Sequence, residues 1–412
     1  MAGTTAHHDT PVRSKPWPAW PQHSAADGEA LLKVLDSGAW NGVDAPAVVE
    51  FERAWGGYLD AQHVITCVNG TVSLEIALSA LGVGHGDEVI VPPYTFLATA
   101  SAVLNVNALP VFVDIDPDTY CLDPAAVEAA ITPRTAAVIV VHLGGHPADL
   151  DRLTEICTRH GIPLIEDAAH AHGARWRDRP VGTFGAYGSW SFQGSKNLTS
   201  GEGGALSTND EALATAAREL RNCGRRVGGA WYEHFRLGGN WRLTAFQAAL
   251  LSVGLTRLPE QVERREAAAA VLDTELARIE GIRPLRRDPR ATVHAHHLYL
   301  FRYDAEAFGG LSLDDFCTAL QREGIPATPG YPCPLNEQPV FAEQRFDTAA
   351  TGWNPDHPAT RFDRLDLPVT RRACAETVWL PHNVLLAPAE EMADVVAAVE
   401  KVQRAQRGAR TP

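Results

Sequence analysis

The chain has 412 residues, of which 45% are hydrophobic and 21% charged, and its formal net charge is −14. That length and balance suit a soluble protein with two domains and a sizeable core, and the acidic charge argues against a nucleic-acid partner, which calls for a basic face. No apolar run approaches the ~20 residues needed to cross a membrane, the opening MAGTTAHHDTPVRSKPWPAWPQ lacks a signal core, and the seven cysteines form no CxxC pair, so a cytoplasmic protein with reduced thiols is expected.

Residues 1–26 are rich in proline and tryptophan and read as an arm that packs on the body or hangs free. Helical spacing over 29–37, ended by Gly38, and over 48–59 precedes a β-rich run at 64–69. That run ends in Asn-Gly-Thr and opens directly into a helix over 72–81. Such a junction is either an anion site, made of free amides at the positive end of a helix, or a simple cap at Thr71. Strands are expected at 89–91, 110–115, 136–143 and 163–166, with helices at 95–106, 123–131 and 147–160 between them. This alternation, with runs as apolar as AAVIVVHL, gives a parallel sheet covered on both faces and a ligand beyond the carboxyl ends of its strands. The apolar run 187–192 follows, and glycines 201, 203 and 204 are expected to turn the chain tightly before a helix that ends near 222. Long helical sequence covers 243–280, with a break expected near Pro259. From 281 the elements shorten (298–303, 313–323, 377–380 and 387–404), and 328–370 reads as an extended loop near the site. The expected organisation is therefore an arm (1–26), a large domain (27–280) and a smaller C-terminal α+β domain (281–412).

Four stretches fall at the expected strand ends: 69–71, 92–96, 167–170 and the loop around Lys196. Lys196 lies among small residues, hydroxyls and glycines; it can lose its proton and form a Schiff base with a carbonyl, or it is a surface lysine in a flexible loop. Asp167, at a strand end, could bind a ribose, a magnesium ion or a protonated ring nitrogen. No G-x-G-x-x-G turn precedes it and no G-x-x-x-x-G-K-[ST] run occurs, which disfavours a dinucleotide and a nucleoside triphosphate. A phosphate-bearing heterocyclic aldehyde would use every part: Lys196 for the aldehyde, Asp167 for a pyridinium, Gly70–Thr71 with Ser191 for the phosphate, and Phe96 for stacking. That is the kit of pyridoxal phosphate. His142 and His146, or His294, His296 and His297, lack the carboxylate or HExxH frame of a metal site, so no metal is expected.

The segments NGTVSLEIAL, GDEVIVPPYTFLATASAVL, PVFVDID, IEDAAHAHGA, SFQGSKNLTSGEGGAL, GGNWRLTAFQAALL and VWLPHNVLL, in this order, resemble the DegT/DnrJ/StrS aminotransferases, a branch of the fold-type I pyridoxal phosphate enzymes. The resemblance covers nearly the whole chain after about residue 27. It implies an α/β fold whose large domain holds a mostly parallel seven-stranded sheet between helices. It also implies that Lys196 bonds the cofactor and shuttles a proton, that Asp167 keeps the ring nitrogen protonated, and that His170 sits near the ring or its phenolic oxygen. Phe96 would cover one ring face, and Gly70, Thr71, Ser191 and Gln193 would surround the phosphate or substrate. Asn240, in GGNWRLT, matches an asparagine that reaches the phosphate of the neighbouring subunit, which implies a homodimer with shared sites. Cys223 stands where many members carry histidine. Lys196, where a dehydratase branch has histidine, implies transamination.

SFQGSK, with Gln193, and GYPCPLNEQPVF look most like members that aminate keto-cyclitols in aminocyclitol antibiotic pathways, with glutamine as the amino donor. The alternative is an aminotransferase of nucleoside-diphosphate keto-hexoses that uses glutamate, for which Arg225 and Arg226 could hold the diphosphate. Tyr331 and Tyr94 are the candidate substrate contacts, beside the plainer reading of a structural loop. Two readings from other classes are an aromatising lyase of the aminohydroxybenzoate synthase type and a non-catalytic cofactor-binding regulator.

Overall fold

Apolar runs of four to seven residues alternate with helices along the first half of the chain, and in the computed structural model these runs become the strands of one sheet. The structure describes residues 10–352 and 362–408. Helices α1 (Ala25–Ser37) and α2 (Pro46–Leu59) come first. There follow β1 (His63–Cys67), α3 (Gly70–Ala80), β2 (Glu88–Val91), α4 (Ala98–Asn105), β3 (Leu109–Phe112), α5 (Pro124–Ala130), β4 (Thr135–Val141), α6 (Leu150–His160) and β5 (Leu164–Asp167). A small hairpin, β6 (Arg175–Trp176) and β7 (Arg179–Pro180), leads to β8 (Tyr187–Ser191), β9 (Gly204–Thr208), α7 (Glu211–Arg221) and α8 (Ala245–Leu276). The rest comprises β10 (Ile282–Pro284), β11 (Leu298–Tyr303), α9 (Leu313–Arg322), β12 (Thr328–Pro329), α10 (Pro339–Ala342), α11 (Pro368–Glu376), β13 (Thr377–Pro381) and α12 (Met392–Gly408).

The large sheet has seven strands in the order β1-β9-β8-β5-β4-β2-β3. Only β9 runs against the others, since it pairs antiparallel with both β1 and β8 while the remaining pairs are parallel. Among the central strands, β5 is buried along its length and β4 from Ala137 onward, as a sheet covered on both faces requires. The second sheet, β10-β11-β13-β12, is antiparallel throughout and shares its apolar core with α9, α12 and the last turns of α8. Helix α8 thus serves two cores: Leu251, Leu255 and Leu258 pack beneath the large sheet, while Ala268, Leu272 and Leu276 pack under the small one.

Several local expectations are corrected. The helix after β1 begins at Gly70 and is capped by Asn69, whose side chain accepts from the Val72 amide at 2.9 Å, not by Thr71. Gly204 is a strand residue rather than a turn residue; a Cβ there would lie 2.4 Å from the Asn69 carbonyl carbon, so glycine is needed for close packing of β9 on the β1–α3 turn. A strand therefore precedes α7, which starts only at Glu211. Pro259 does not break the long helix. Its missing N–H costs one backbone bond, and the helix continues through it with Leu255, Leu258 and Val262 buried on either side. The 328–370 stretch contains β12, α10 and the start of α11; its residues 353–361, like 1–9 of the arm and 409–412 of the C-terminus, lie outside the described residues.

The described part of the arm packs rather than hangs. Arg13 is buried, pairs with Glu391 and Asp394 at 2.8 Å each, and lies 3.5 Å over the Trp17 ring. Trp17 Nε1 donates to the Gly324 carbonyl at 2.8 Å. Among the described residues, no helix is long and apolar enough to cross a membrane.

Candidate active site

The carboxyl ends of β1, β5 and β8, with the turn after β2, open into one cavity of about 730 Å³. Asp167 is the last residue of β5, and the alternation of side chains along a strand sends it and Glu166 to opposite faces. Glu166 is a structural anchor: its carboxylate accepts the amides of Gly182, Phe184 and Gly185 at 2.6–2.8 Å and the His142 ring N–H at 3.2 Å. Asp167 faces the cavity instead. Its Oδ2 accepts from the Thr99 hydroxyl at 2.9 Å and its Oδ1 from the Ala169 amide at 3.3 Å. Burial pushes this carboxyl above its ordinary range, against the pull of Thr99, Ala169 and the Lys196 charge.

Lys196 stands on the loop between β8 and β9, which Phe192 closes. The Phe192 amide donates to the Gly203 carbonyl at 2.8 Å, and its own carbonyl accepts the Ser200 amide at 3.1 Å and the Thr199 hydroxyl at 3.0 Å. The lysine is half-buried, yet the surrounding protein strips enough water from its ammonium to lower its pKa to about 8, against the attraction of Asp167. At pH 7 about a tenth of this amine is therefore neutral, far more than of an ordinary lysine.

The β1–α3 turn supplies the third part. Asn69 satisfies the amides of Val72 and Ser73 through its side chain and carbonyl, leaving those of Gly70 and Thr71 without an acceptor among the described residues. A Cβ on Gly70 would come 2.7 Å from the Ser191 Cβ, so glycine is what lets the helix end approach Ser191. Two free amides, a hydroxyl and the positive end of a helix then meet at one spot on the cavity wall. His170 accepts the Gly144 amide at Nδ1, 3.3 Å away, so its proton sits on Nε2. Burial holds its pKa well below the ordinary value, which keeps the ring neutral.

Nine of the residues singled out from sequence thus line one cavity: Gly70, Thr71, Phe96, Asp167, His170, Ser191, Gln193, Lys196 and Tyr331. Phe96 is 64% exposed in the single chain and forms its rim. Gln193 spends its side-chain carbonyl on the Ser195 amide and hydroxyl, at 2.8 and 2.7 Å. Three others are not brought there. Tyr94 is buried behind Tyr331, its ring 5.2 Å from that ring, and does not reach the cavity. Arg225 lies beside Trp231, and Asn240 is exposed in a bridge with Asn222, both outside the cavity of their own chain. Of the histidines considered for a metal, His142 meets Glu166, His296 meets Glu266 at 2.9 Å, His146 lies against the His294 ring, and His297 meets Asn197.

Sequence reasoning missed the opposite wall, formed by Trp20, His297, Trp379, His382 and Asn383, and missed Thr99 beneath Asp167. Trp379, His382 and Asn383 all stand in VWLPHN, whose motif was noticed but whose place in space no local pattern gives.

The donor set fits a phosphate-bearing pyridine aldehyde: an amine that sheds its proton near pH 8, a buried carboxylate facing the cavity, two free amides beside a serine, and a neutral imidazole N–H. The solved structure of 3-amino-5-hydroxybenzoic acid synthase superposes with a TM-score of 0.86 at 35% identity, over 95% of this chain and 99% of that one. NtdA from Bacillus subtilis, solved with bound cofactor PMP, gives 0.79 at 27% identity, over 92% of this chain and 82% of that one. The fold is that of a fold-type I aminotransferase, and the protein is a transaminase. More narrowly, the chain belongs to the DegT/DnrJ/EryC1/StrS aminotransferase family, whose sequence pattern matches residues 21–400. It is 43% identical over 417 residues to the L-glutamine:2-deoxy-scyllo-inosose aminotransferase of Micromonospora echinospora, covering 95% of this chain and 96% of that protein.

Proposed function

We propose that this transaminase moves the amino group of L-glutamine to a keto-cyclitol of the 2-deoxy-scyllo-inosose kind, as a step of aminocyclitol antibiotic biosynthesis, with pyridoxal phosphate as cofactor. The observation that carries the reading is the meeting of the Lys196 amine and the Asp167 carboxylate in one cavity. The choice of donor and ketone is supported by the Micromonospora echinospora relative, which matches end to end.

Lys196 would hold the cofactor by its aldehyde, Asp167 by its ring N–H, and the Gly70 and Thr71 amides with Ser191 by its phosphate. When bound, the cofactor supplies a carrier for the amino group and a sink for the electron pair left on the donor's α-carbon. Lys196 Nζ removes the proton from that carbon and later returns one to the ketone carbon, work suited to an amine with a pKa near the working pH. Asp167 would stay ionised opposite the ring N–H, a pairing that would offset the cost of its burial. His170 offers its Nε2–H to an oxygen, and Tyr331 faces the polyol. Asn240, exposed on a loop that also exposes Trp231, Tyr232 and Leu237, would serve the cavity of a second copy in a cytoplasmic homodimer. The seven unpaired cysteines suit that compartment. The small domain is taken to begin at residue 281.

Borohydride treatment of the protein saturated with pyridoxal phosphate, followed by peptide mapping, tests the attachment; an unmodified peptide around Lys196 would remove the reading. With the loaded protein, glutamine should yield its 2-oxo acid and glutamate should not. The similarity to 3-amino-5-hydroxybenzoic acid synthase favours one second reading, an aromatising lyase, which would release water from its substrate with no amino donor present.

A further inference from the structure

The loop that carries Lys196 is held from outside the large sheet. Two consecutive backbone carbonyls immediately before the lysine accept side-chain hydrogen bonds from opposite ends of the chain. Trp20 Nε1, from the arm, donates to the Gly194 carbonyl at 3.1 Å. His382, just after β13, donates from Nε2 to the Ser195 carbonyl at 3.0 Å. The two rings touch each other edge to face, with centroids 4.5 Å apart. Both also line the cavity.

Behind them stands Arg265 of α8, which is 0% exposed and makes no salt bridge among the described residues. Its Nη2 donates to His382 Nδ1 at 3.0 Å, while Nε and Nη1 have no partner, and its guanidinium lies 5.7 Å from the centre of the Trp20 ring. A buried cation without a carboxylate is costly, and its position here has a specific consequence. Arg265 can only donate, so His382 must accept at Nδ1, and its proton is therefore on Nε2, facing the Ser195 carbonyl. A second proton on that ring would face the arginine charge, and burial with that charge keeps the histidine neutral. The arginine thus fixes the tautomer that holds the loop, and it supports the tryptophan through its ring face.

We propose that Trp20, His382 and Arg265 form a clamp that positions Lys196 through the Gly194 and Ser195 carbonyls, so that the arm and the C-terminal sheet set where the reacting amine lies. These are positioning residues, and the proposal rests on the reading that Lys196 bonds the cofactor. The geometry also accounts for the burial of the arm's Arg13 and the Trp17 contact with Gly324: they hold the segment that carries Trp20 against the C-terminal elements.

The test uses the full-length protein and pyridoxal phosphate alone, with no donor or ketone. Trp20→Phe keeps a ring against His382 and Arg265 but removes the N–H. His382→Leu removes both bonds, and His382→Gln retains an acceptor and a donor. Loosening the loop lets water back to the Lys196 amine. The pH midpoint for cofactor attachment should therefore rise by about one unit in Trp20→Phe and His382→Leu, because desolvation is what lowers that pKa. Cofactor release should also become several-fold faster, and His382→Gln should recover most of both effects. Thermal unfolding of each loaded variant separates this from global damage, and Trp20→Phe carries the test if His382→Leu does not fold. Wild-type protein that attaches the cofactor at Lys196, with Trp20→Phe unchanged in midpoint and release rate, overturns the clamp alone. No attachment at Lys196 in the wild type overturns both this proposal and the reading beneath it.

Discussion

The two walls of the cavity are built differently. One consists of strand ends: Asp167 closes β5, Ser191 closes β8, and Gly70–Thr71 follow β1. The other brings Trp20, His297 and His382 together from the arm, the segment before β11 and the segment after β13. In the first wall each chemical group sits at a junction that its own neighbours dictate. In the second, position comes only from tertiary packing. The difference suggests that the strand-end wall carries the chemistry and the far wall carries placement, and the variants below test that division.

The largest effect is expected at the strand-end wall. Lys196→Ala removes the amine that holds the cofactor and moves the proton, and kcat should fall by at least ~10²–10⁴-fold while the thermal midpoint stays close to wild type. Asp167→Asn comes next, because it removes the charge opposite the ring nitrogen; a loss on the order of 10²–10³-fold in kcat/KM is expected, as for other preorganised charges in closed sites. If Trp20→Phe reduced kcat as much as either, the division between the walls would be lost.

The same division explains what was legible in the sequence. The parallel sheet and the strand-end positions of Lys196 and Asp167 could be read because alternation, an apolar strand and a turn after it are all local signals. The number of strands followed only from the family resemblance, since β9 has no local signal of its own. Gly204 misled because its role is to let β9 pack on Asn69, a contact across the sheet, and a glycine beside two others looks like a turn. Pro259 misled because packing on both sides of it outweighs one missing backbone bond. His382 and Trp20 could not be placed, since their partners, the Gly194 and Ser195 carbonyls, carry no side-chain signature.

Thr99→Val sharpens the comparison within the strand-end wall. Thr99 is buried, donates to Asp167 Oδ2 at 2.9 Å, and is itself 3.0 Å from the Thr95 hydroxyl. A hydrogen bond to a charged buried group is worth ~1.5–3 kcal/mol, so cofactor affinity should fall about tenfold or more. Removing the donor also raises the Asp167 pKa further, and cofactor affinity should begin to fall at higher pH than in the wild type as the pH is lowered. Equilibrium titration of the cofactor at pH 7 and at pH 5.5 reads both effects.

The buried histidines of both walls predict a pH dependence of stability rather than of chemistry. His170, His297 and His382 are buried neutral, with pKa values held well below the ordinary 6.5, largely by desolvation. In the unfolded chain each takes up a proton as pH falls through about 6.5, while the folded forms do not. The unfolded state then binds more protons, so stability is lost as pH falls below about 6.5. The thermal midpoint of the protein should drop between pH 7 and pH 5; a midpoint that held constant there would contradict the burial of these rings as neutral groups.

The smallest effects distinguish two neighbouring tyrosines. Tyr331 lines the cavity, and Tyr331→Phe should raise KM for the ketone a few-fold with kcat nearly unchanged, since one hydroxyl contact to a polyol is lost equally from ground and transition states. Tyr94 lies directly behind it, and its buried hydroxyl meets no hydrogen-bonding partner; the nearby Thr377 hydroxyl donates to the Ala373 carbonyl. Gly330 is needed at this point, because a Cβ there would come 2.3 Å from the Tyr94 oxygen. Removing an unpaired buried hydroxyl relieves a desolvation cost rather than breaking a bond. Tyr94→Phe should therefore leave both kinetic constants within about twofold of wild type and hold or slightly raise the thermal midpoint, whereas a direct substrate contact would make it behave like Tyr331→Phe. Measuring the two variants side by side against the same ketone shows whether the cavity ends at the Tyr331 ring or extends past it.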